Sequence, residues 1–297
     1  MRKVKIITDS CADLTAKLLE KYDIDYCKMS TVYNGEESPA LLTWTYEEAH
    51  ALYDVMRDGN RITTAQVSVG EFRQVFGKYL LDGCDIIYIG CSSKQSGSVN
   101  TGRLVAKKLL EEYPEAQIFC IDSLRATIGE GILAIEAAKM AESGMKASEI
   151  AEKITAMRNN VHQFATVHTL DYLKRAGRVS ATSAFLGNLM GVKPLLVADA
   201  EGVQTAFKKI KGRAAAVDEC IRLLGENITD DENQTVYLWH ADCDLEEVTE
   251  VYNKIKIAFP HSDIEVGLIG PIIGASAGPG VIGVFSVGKP VTFTAQA

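Results

Sequence analysis

Short apolar runs alternate with longer stretches of helical spacing along the first half of the chain. VKIIT at 4–8 reads as a strand, and TAKLLEKY at 15–22 gathers its apolar residues on one helical face. TVYNGEES at 31–38 holds Asn34–Gly35, a pair that predicts a two-residue hairpin turn. The spacing predicts helices over TYEEAHALYDVMR and VGEFRQVFGKYLL, a buried strand at DIIYIG, a helix at GRLVAKKLLEEY and a strand at AQIFCID. A further helix, GEGILAIEAAKMAESG, closes on Gly144. Strands alternating with helices of this length imply βαβ units and a largely parallel sheet.

The second half is more mixed. A helix over KASEIAEKITAMRNN bridges a boundary near 145–162. It separates an N-terminal α/β domain over 1–158, carrying a hairpin insertion at about 24–44, from a C-terminal α+β domain over 159–297. FATVH and VKPLLVADAEG read as strands, the latter turning at Glu201–Gly202. Helices over LDYLKRAG, RAAAVDECIRLLG and LEEVTEVYNKIKIAF interleave with strands TVYLWHA and IEVGLIG. The stretch 266–288 has no charged residue, yet its seven glycines with Pro271 and Pro279 predict a strand, a glycine loop and a strand, not a membrane span.

Composition narrows the classes. With 297 residues and 47% hydrophobic positions there is apolar mass for two cores. A net charge of -8 without a basic run argues against nucleic acid as a partner, and KKIKGR at 208–213 reads as a solvated face. The seven cysteines show neither C-x-x-C nor zinc spacing. Their odd number, and an N-terminus without a secretory apolar segment, point to a reducing cytoplasm.

Four polar segments follow expected strands: TDSCADL (8–14), TTAQVS (63–68), GCSSKQSGS (90–98) and GASAGPG (274–280). Ligands of open α/β sheets bind at such strand ends, where loops and helix N-termini converge. Asp9, Ser10 and Thr15 also suit simple helix capping. Phosphate binding, acyl transfer and carboxylate capture all use this chemistry. G-x-x-x-x-G-K-[ST] is missing, which removes the usual phosphate loop of a nucleotide site. GASAG at 274–278 and GPGVIG at 278–283 match the bare spacings G-x-S-x-G and G-x-G-x-x-G, but the strand, glycine loop and strand expected there is not the strand–turn–helix setting that either motif needs. Of the five histidines, His50, His162 and His261 read as surface or capping residues. His168 and His240 end strands. These residues leave catalysis open; they fit the binding of an anion.

Seven motifs in order carry a family resemblance: TDS at 8–10, T-x-Q-x-S at 64–68, SS-x-x-SGS at 92–98, IDS at 121–123, LDYLKRAGRVS at 170–180, GVKPLL at 191–196 and GPIIG-x-x-x-GPG at 270–280. Together they resemble the DegV family over nearly the whole chain. The resemblance implies a two-domain α/β protein with a long-chain fatty acid, such as palmitate, stearate or oleate, in a tunnel between the domains. No His/Asp/Glu spacing supports a metal and no base stands beside a serine, so no metal, no cofactor and no catalytic residue is expected. For some members the partner is a separate bacterial fatty acid kinase, which phosphorylates the bound carboxylate. By motif position Thr64 and Ser96 correspond to the residues holding the carboxylate, with Ser93 and the amides around Gly97 as further candidates. The last loop departs from the family's usual G-T-H-T-G-P-G. Ser276 stands where histidine is common, and Ala275 and Ala277 replace threonines. Ala65 and Gln95 are further departures. The alternatives are a small-molecule phosphotransferase or serine acyl hydrolase, and a lipid-sensing regulatory module.

Overall fold

The computed structural model describes residues 2–180 and 191–294. The first half runs β1 (Val4–Asp9), α1 (Ala16–Lys21), β2 (Asp25–Cys27), the hairpin β3 (Ser30–Tyr33) and β4 (Glu36–Pro39), α2 (Tyr46–Arg57), β5 (Thr63–Ala65) and α3 (Val69–Leu81). It continues through β6 (Asp85–Gly90), α4 (Ser98–Glu112), β7 (Ile118–Asp122), α5 (Ile128–Glu142) and α6 (Ala147–Met157). Strands β2, β1, β6 and β7 form a parallel sheet in that order. The apolar run of β6 is buried on both faces, as a strand covered by helices on either side requires. Asn34 and Gly35 both take positive φ, at 51° and 83°, which closes the hairpin as their pairing predicts. Strand β5 pairs with β3 to complete a small antiparallel sheet of order β4-β3-β5.

The second half contains β8 (Val161–Thr166), α7 (Asp171–Ala176), β9 (Val192–Ala198), β10 (Gln204–Lys211), α8 (Arg213–Asn227), β11 (Thr235–His240), α9 (Leu245–Ala258), β12 (Asp263–Leu268), α10 (Pro271–Ala277) and β13 (Ile282–Val287). Its sheet has the order β10-β9-β8-β13-β11-β12, antiparallel except for the β11–β12 pair. The architecture is thus mixed α/β, with one parallel sheet and one separate mixed sheet.

Helix α5 explains how the halves meet. It is buried over almost every turn and touches both β1 and β8, so it is apolar on all sides. Asp13, in left-handed conformation at φ 48°, adds a polar tie. Its carboxylate accepts from the Gly270 N–H at 2.9 Å and its carbonyl from Trp239 Nε1, also at 2.9 Å.

Three local expectations change. The glycine-rich stretch is not all loop: 271–277 forms α10, with Pro271 at its start and a glycine where α2 passes. A Cβ on Gly274 would stand 2.3 Å from the Tyr53 hydroxyl. QTAFKKIK, left out of the expected strands, forms β10; its 208–211 end is largely solvent-facing, and its lysines hide the alternation. His162 is a buried residue of β8 instead of a loop residue, with Nε2 bonded to the Lys289 carbonyl at 2.7 Å.

Candidate functional site

The carboxyl ends of β1 and β6, strand β5, helix α10 and one face of the second sheet enclose a chamber of about 310 Å³. That lies at the lower end of the range for small-molecule sites. Met29, Leu173, Leu196, Ile272, Val281 and Phe285 supply apolar wall. Polar groups enter from Thr64, Gln66, Ser96, Gly97, Arg178 and Ser276. Thr64, Arg178 and Ser276 also line a second cavity of about 240 Å³, so they stand where the two spaces adjoin. Arg61 and Arg175 line that outer cavity too.

Hydrogen-bond accounting shows which hydroxyls are available. Ser98, buried at the start of α4, accepts from the Val67 N–H at 3.2 Å. Its hydroxyl lies 3.0 Å from Ser96 Oγ, which also accepts from the Ser98 N–H at 3.2 Å. With Ser98 donating to it, Ser96 Oγ has used its acceptor positions, and its own O–H remains to donate. Thr64 Oγ1 and Ser276 Oγ have no hydrogen-bond partner among the described residues. Gly97 precedes α4 without a side-chain cap. A Cβ there would lie 2.0 Å from Gln66 Oε1, so only glycine lets Gln66 cross it to donate to Thr101 Oγ1 at 2.8 Å.

The expected residues therefore divide. Thr64, Ser96, Gly97 and Ser276 line the chamber. Ser93 does not; its N–H donates to Asp122 Oδ1 at 3.1 Å. Ala275 faces only the outer cavity. Thr64 lies on β5 and caps no helix: the N-cap of α3 is Ser68. Ser276 lies in the last turn of α10, where a loop was expected. Lys94 lies 3.8 Å from Glu201 on the surface. Arg178 and Gln66 were not singled out from sequence, although both fall inside quoted motifs (KRAGRVS and T-x-Q-x-S). Nothing in a guanidinium or amide on a loop announces that it will face a cavity.

Arg178 is the only charged residue among the described lining residues. The acidic groups behind the wall are held toward their neutral forms. Asp9 is fully buried and accepts from the Tyr88 hydroxyl at 2.7 Å and from the Cys11 and Cys91 N–H groups at 2.9 and 3.2 Å. Desolvation nevertheless raises its pKa, and it raises that of buried Glu130 well above the usual carboxylate range. Burial pushes Asp13 up to about 8, against the opposing hydrogen bonds from Thr127 (2.5 Å) and Gly270. A chamber backed by such groups does not repel a bound anion as ionised carboxylates would. The N-terminus of the 15-residue helix α4 adds partial positive charge beside Ser96 and Gly97.

The histidines stand elsewhere. His50 Nδ1 contacts Asp242 at 2.8 Å, and its Nε2 lies 3.3 Å from Asp54. Arg57 reaches both carboxylates, at 2.7 and 2.6 Å, so a guanidinium already offsets part of the charge of this cluster. His168 lies along the same separate groove. His240 is buried at the end of β11, which lowers its pKa to about 4.

Comparison with known proteins gives concordant results. A family model described as an uncharacterised protein of the DegV family matches residues 3–289. A DegV domain-containing protein of Clostridium perfringens is 33% identical over 292 residues, covering 97% of this chain and 98% of that one. Among solved structures, a DegV lipid-binding protein of Thermotoga maritima superposes with a TM-score of 0.85 at 27% identity, over 98% of this chain and 100% of the other. A stearic acid-binding protein of Eubacterium ventriosum superposes with a TM-score of 0.84 at 25% identity, over 97% and 99% of the two chains.

Proposed function

This chain belongs to the DegV family, and on that premise we propose that it binds a long-chain fatty acid in the chamber between its two sheets. The carboxylate is held by the hydroxyls of Thr64, Ser96 and Ser276 and by the N–H of Gly97, beside the Arg178 guanidinium. One observation carries the reading: a largely apolar cavity whose unsatisfied hydroxyl donors gather where it adjoins a second, arginine-lined space.

The energetics are consistent with this division of labour. The ~14 methylenes of palmitate, at ~0.8 kcal/mol each, yield roughly 11 kcal/mol on burial. Association costs ~4–15 kcal/mol, so the hydrocarbon alone gives useful affinity only in a pre-formed cavity. Charge-assisted hydrogen bonds to the carboxylate fix its orientation and keep it ionised. The same groups hold without attacking. No described residue lining the chamber is a histidine or carboxylate that could deprotonate a serine, so nucleophilic catalysis lacks its base.

The same geometry suits presentation of the carboxylate to a separate kinase. A carboxylate at the Thr64–Ser276 end borders the outer cavity, where Arg61 and Arg175 suit an incoming phosphoryl group. Its oxygen would attack the γ-phosphorus of ATP held by the partner, releasing ADP.

Mass spectrometry of organic extracts of the native protein, with calorimetric titration of the delipidated protein by stearate, tests the binding. A stoichiometric fatty acid and saturable binding are expected. Absence of both overturns the reading. Acyl phosphate formed from ATP and fatty acid by the purified chain alone would instead make it an enzyme.

A further inference from the structure

The chamber wall formed by the second sheet is apolar in one row and polar in the next. Ala165, Leu196 and Ala206 stand opposite one another on β8, β9 and β10. Two residues along, Gln204 stands opposite Ala198 on β10 and β9. Gln163 lies one residue beyond the Phe164–Val197 pair and opposite Phe285 on β13. Gln163 and Gln204 thus flank Ala198 on one face, and both line the chamber. They are 7% and 8% exposed.

Gln163 Nε2 donates to Gln204 Oε1 at 2.6 Å, which occupies one atom of each amide. The other two atoms are left over. Gln163 Oε1 is buried with no hydrogen-bond partner, and Gln204 Nε2 donates to no described residue. Exchanging oxygen and nitrogen in both amides keeps the mutual bond and again leaves one donor and one acceptor unpaired. Gly129 leaves room beside Gln163: a Cβ there would come within 3.3 Å of Oε1.

A plain hydrocarbon is the wrong complement for this row. Buried amide groups are nearly always paired, and leaving them unpaired is costly. A methylene that displaced water from these amides could not replace its hydrogen bonds. Gln163 Oε1 is sealed behind the pair, and the Gln204 Nε2 position is the one open to the chamber. A hydroxyl is both donor and acceptor, so it can pair there whether nitrogen or oxygen stands at that position. A carbonyl can only accept.

We propose that the chamber is built for a long-chain fatty acid carrying a hydroxyl group along its chain, with the Gln163–Gln204 pair as the hydroxyl site. This rests on the fatty-acid reading above and names the class of acid within it. The glutamines act as a specificity device: they disfavour the unsubstituted chain and select one stretch of hydroxyl positions.

The test is calorimetric titration of the intact, delipidated protein with stearate and with a series of monohydroxystearates differing in hydroxyl position. One position, or two adjacent ones, should bind about 10-fold more tightly than stearate. In the Gln163→Leu, Gln204→Met double variant that order should invert, with stearate the tighter ligand. Melting of the ligand-free variants reports folding, and Gln204→Met alone serves if the double variant does not fold. Stearate binding as tightly as every hydroxy acid in the wild type overturns the inference and leaves the fatty-acid reading standing. A positional preference that survives in the variant removes the site from the glutamines. Failure of all these acids to bind would defeat the fatty-acid reading itself.

Discussion

Ser96 and Ser98 are two residues apart and share a hydrogen bond, yet replacing each by alanine should have opposite consequences. In Ser96→Ala the lost group is the donor to the carboxylate. A hydrogen bond to a charged acceptor is worth ~1.5–3 kcal/mol, so stearate affinity should fall roughly 10- to 150-fold. The fold should barely notice, because Ser96 lines the chamber, so water there can take over the bonds of its Oγ to the Ser98 N–H and hydroxyl. In Ser98→Ala the lost group is the acceptor for the Val67 N–H, and Val67 and Ser98 are both fully buried. An orphaned buried N–H costs ~1–3 kcal/mol, which at this chain length lowers Tm by ~2–5 °C. Calorimetric titration gives the first quantity and thermal unfolding of ligand-free protein the second. If Ser96→Ala binds stearate as the wild type does, or if Ser98→Ala is the variant that loses affinity while keeping its Tm, the assignment of the free hydroxyl is wrong.

Gly97→Ala should weaken binding and lower Tm, because its Cβ displaces Gln66 and breaks the bond to Thr101; unchanged values in both measurements would refute that packing. Asp13 holds its proton up to about pH 8 when folded but releases it near pH 4 when unfolded. Its contribution is therefore complete below about pH 4 and lost as pH rises toward 8. Asp13→Asn should flatten that part of the stability profile, and urea unfolding at several pH values would expose an unchanged slope. Fatty acid affinity should be nearly flat between about pH 6 and 7, since no described histidine lines the chamber, and should weaken as Asp13, bonded to the lining residue Thr127, ionises toward pH 8. Ser276→His should add a step with tighter binding on the acid side, and a histidine-like step in the wild type would contradict this.

How far the residues alone reveal this molecule depends on whether local pattern or distant packing decides each element. The parallel sheet was legible because its strands are continuous apolar runs bounded by glycine and polar residues, and the hairpin because Asn34–Gly35 suits only one kind of turn. Helix α10 was not. Its glycines argue for a loop, and only close packing against Tyr53 and the tie from Gly270 to Asp13 makes helix the better solution. Strand β10 was hidden by lysines on an exposed strand end. Of the site, Thr64 and Ser96 were visible through motif resemblance. Ser93 stood as a further candidate beside Ser96, and its N–H is instead tied to Asp122 away from the chamber, a contact that no local pattern announces. Gln163 and Gln204 sit in ordinary strand patterns 41 residues apart, and only the register of β8, β9 and β10 joins them.

The place of β13 has a consequence for how the protein is made. It is the last strand among the described residues, yet it lies inside the second sheet between β8 and β11, pairing with residues 161–166 and 237–240. During synthesis β8 can pair early with β9 on one side, but its other edge must wait for more than a hundred residues before β13 emerges from the ribosome. Phe285 and Val281, which line the chamber, arrive with that strand. The parallel sheet can consolidate early from local βαβ contacts, while the mixed sheet closes late and through long loops, a slow step by its topology. On the fatty-acid reading, loading waits for β13, because a nascent chain that lacks it has no complete chamber to fill.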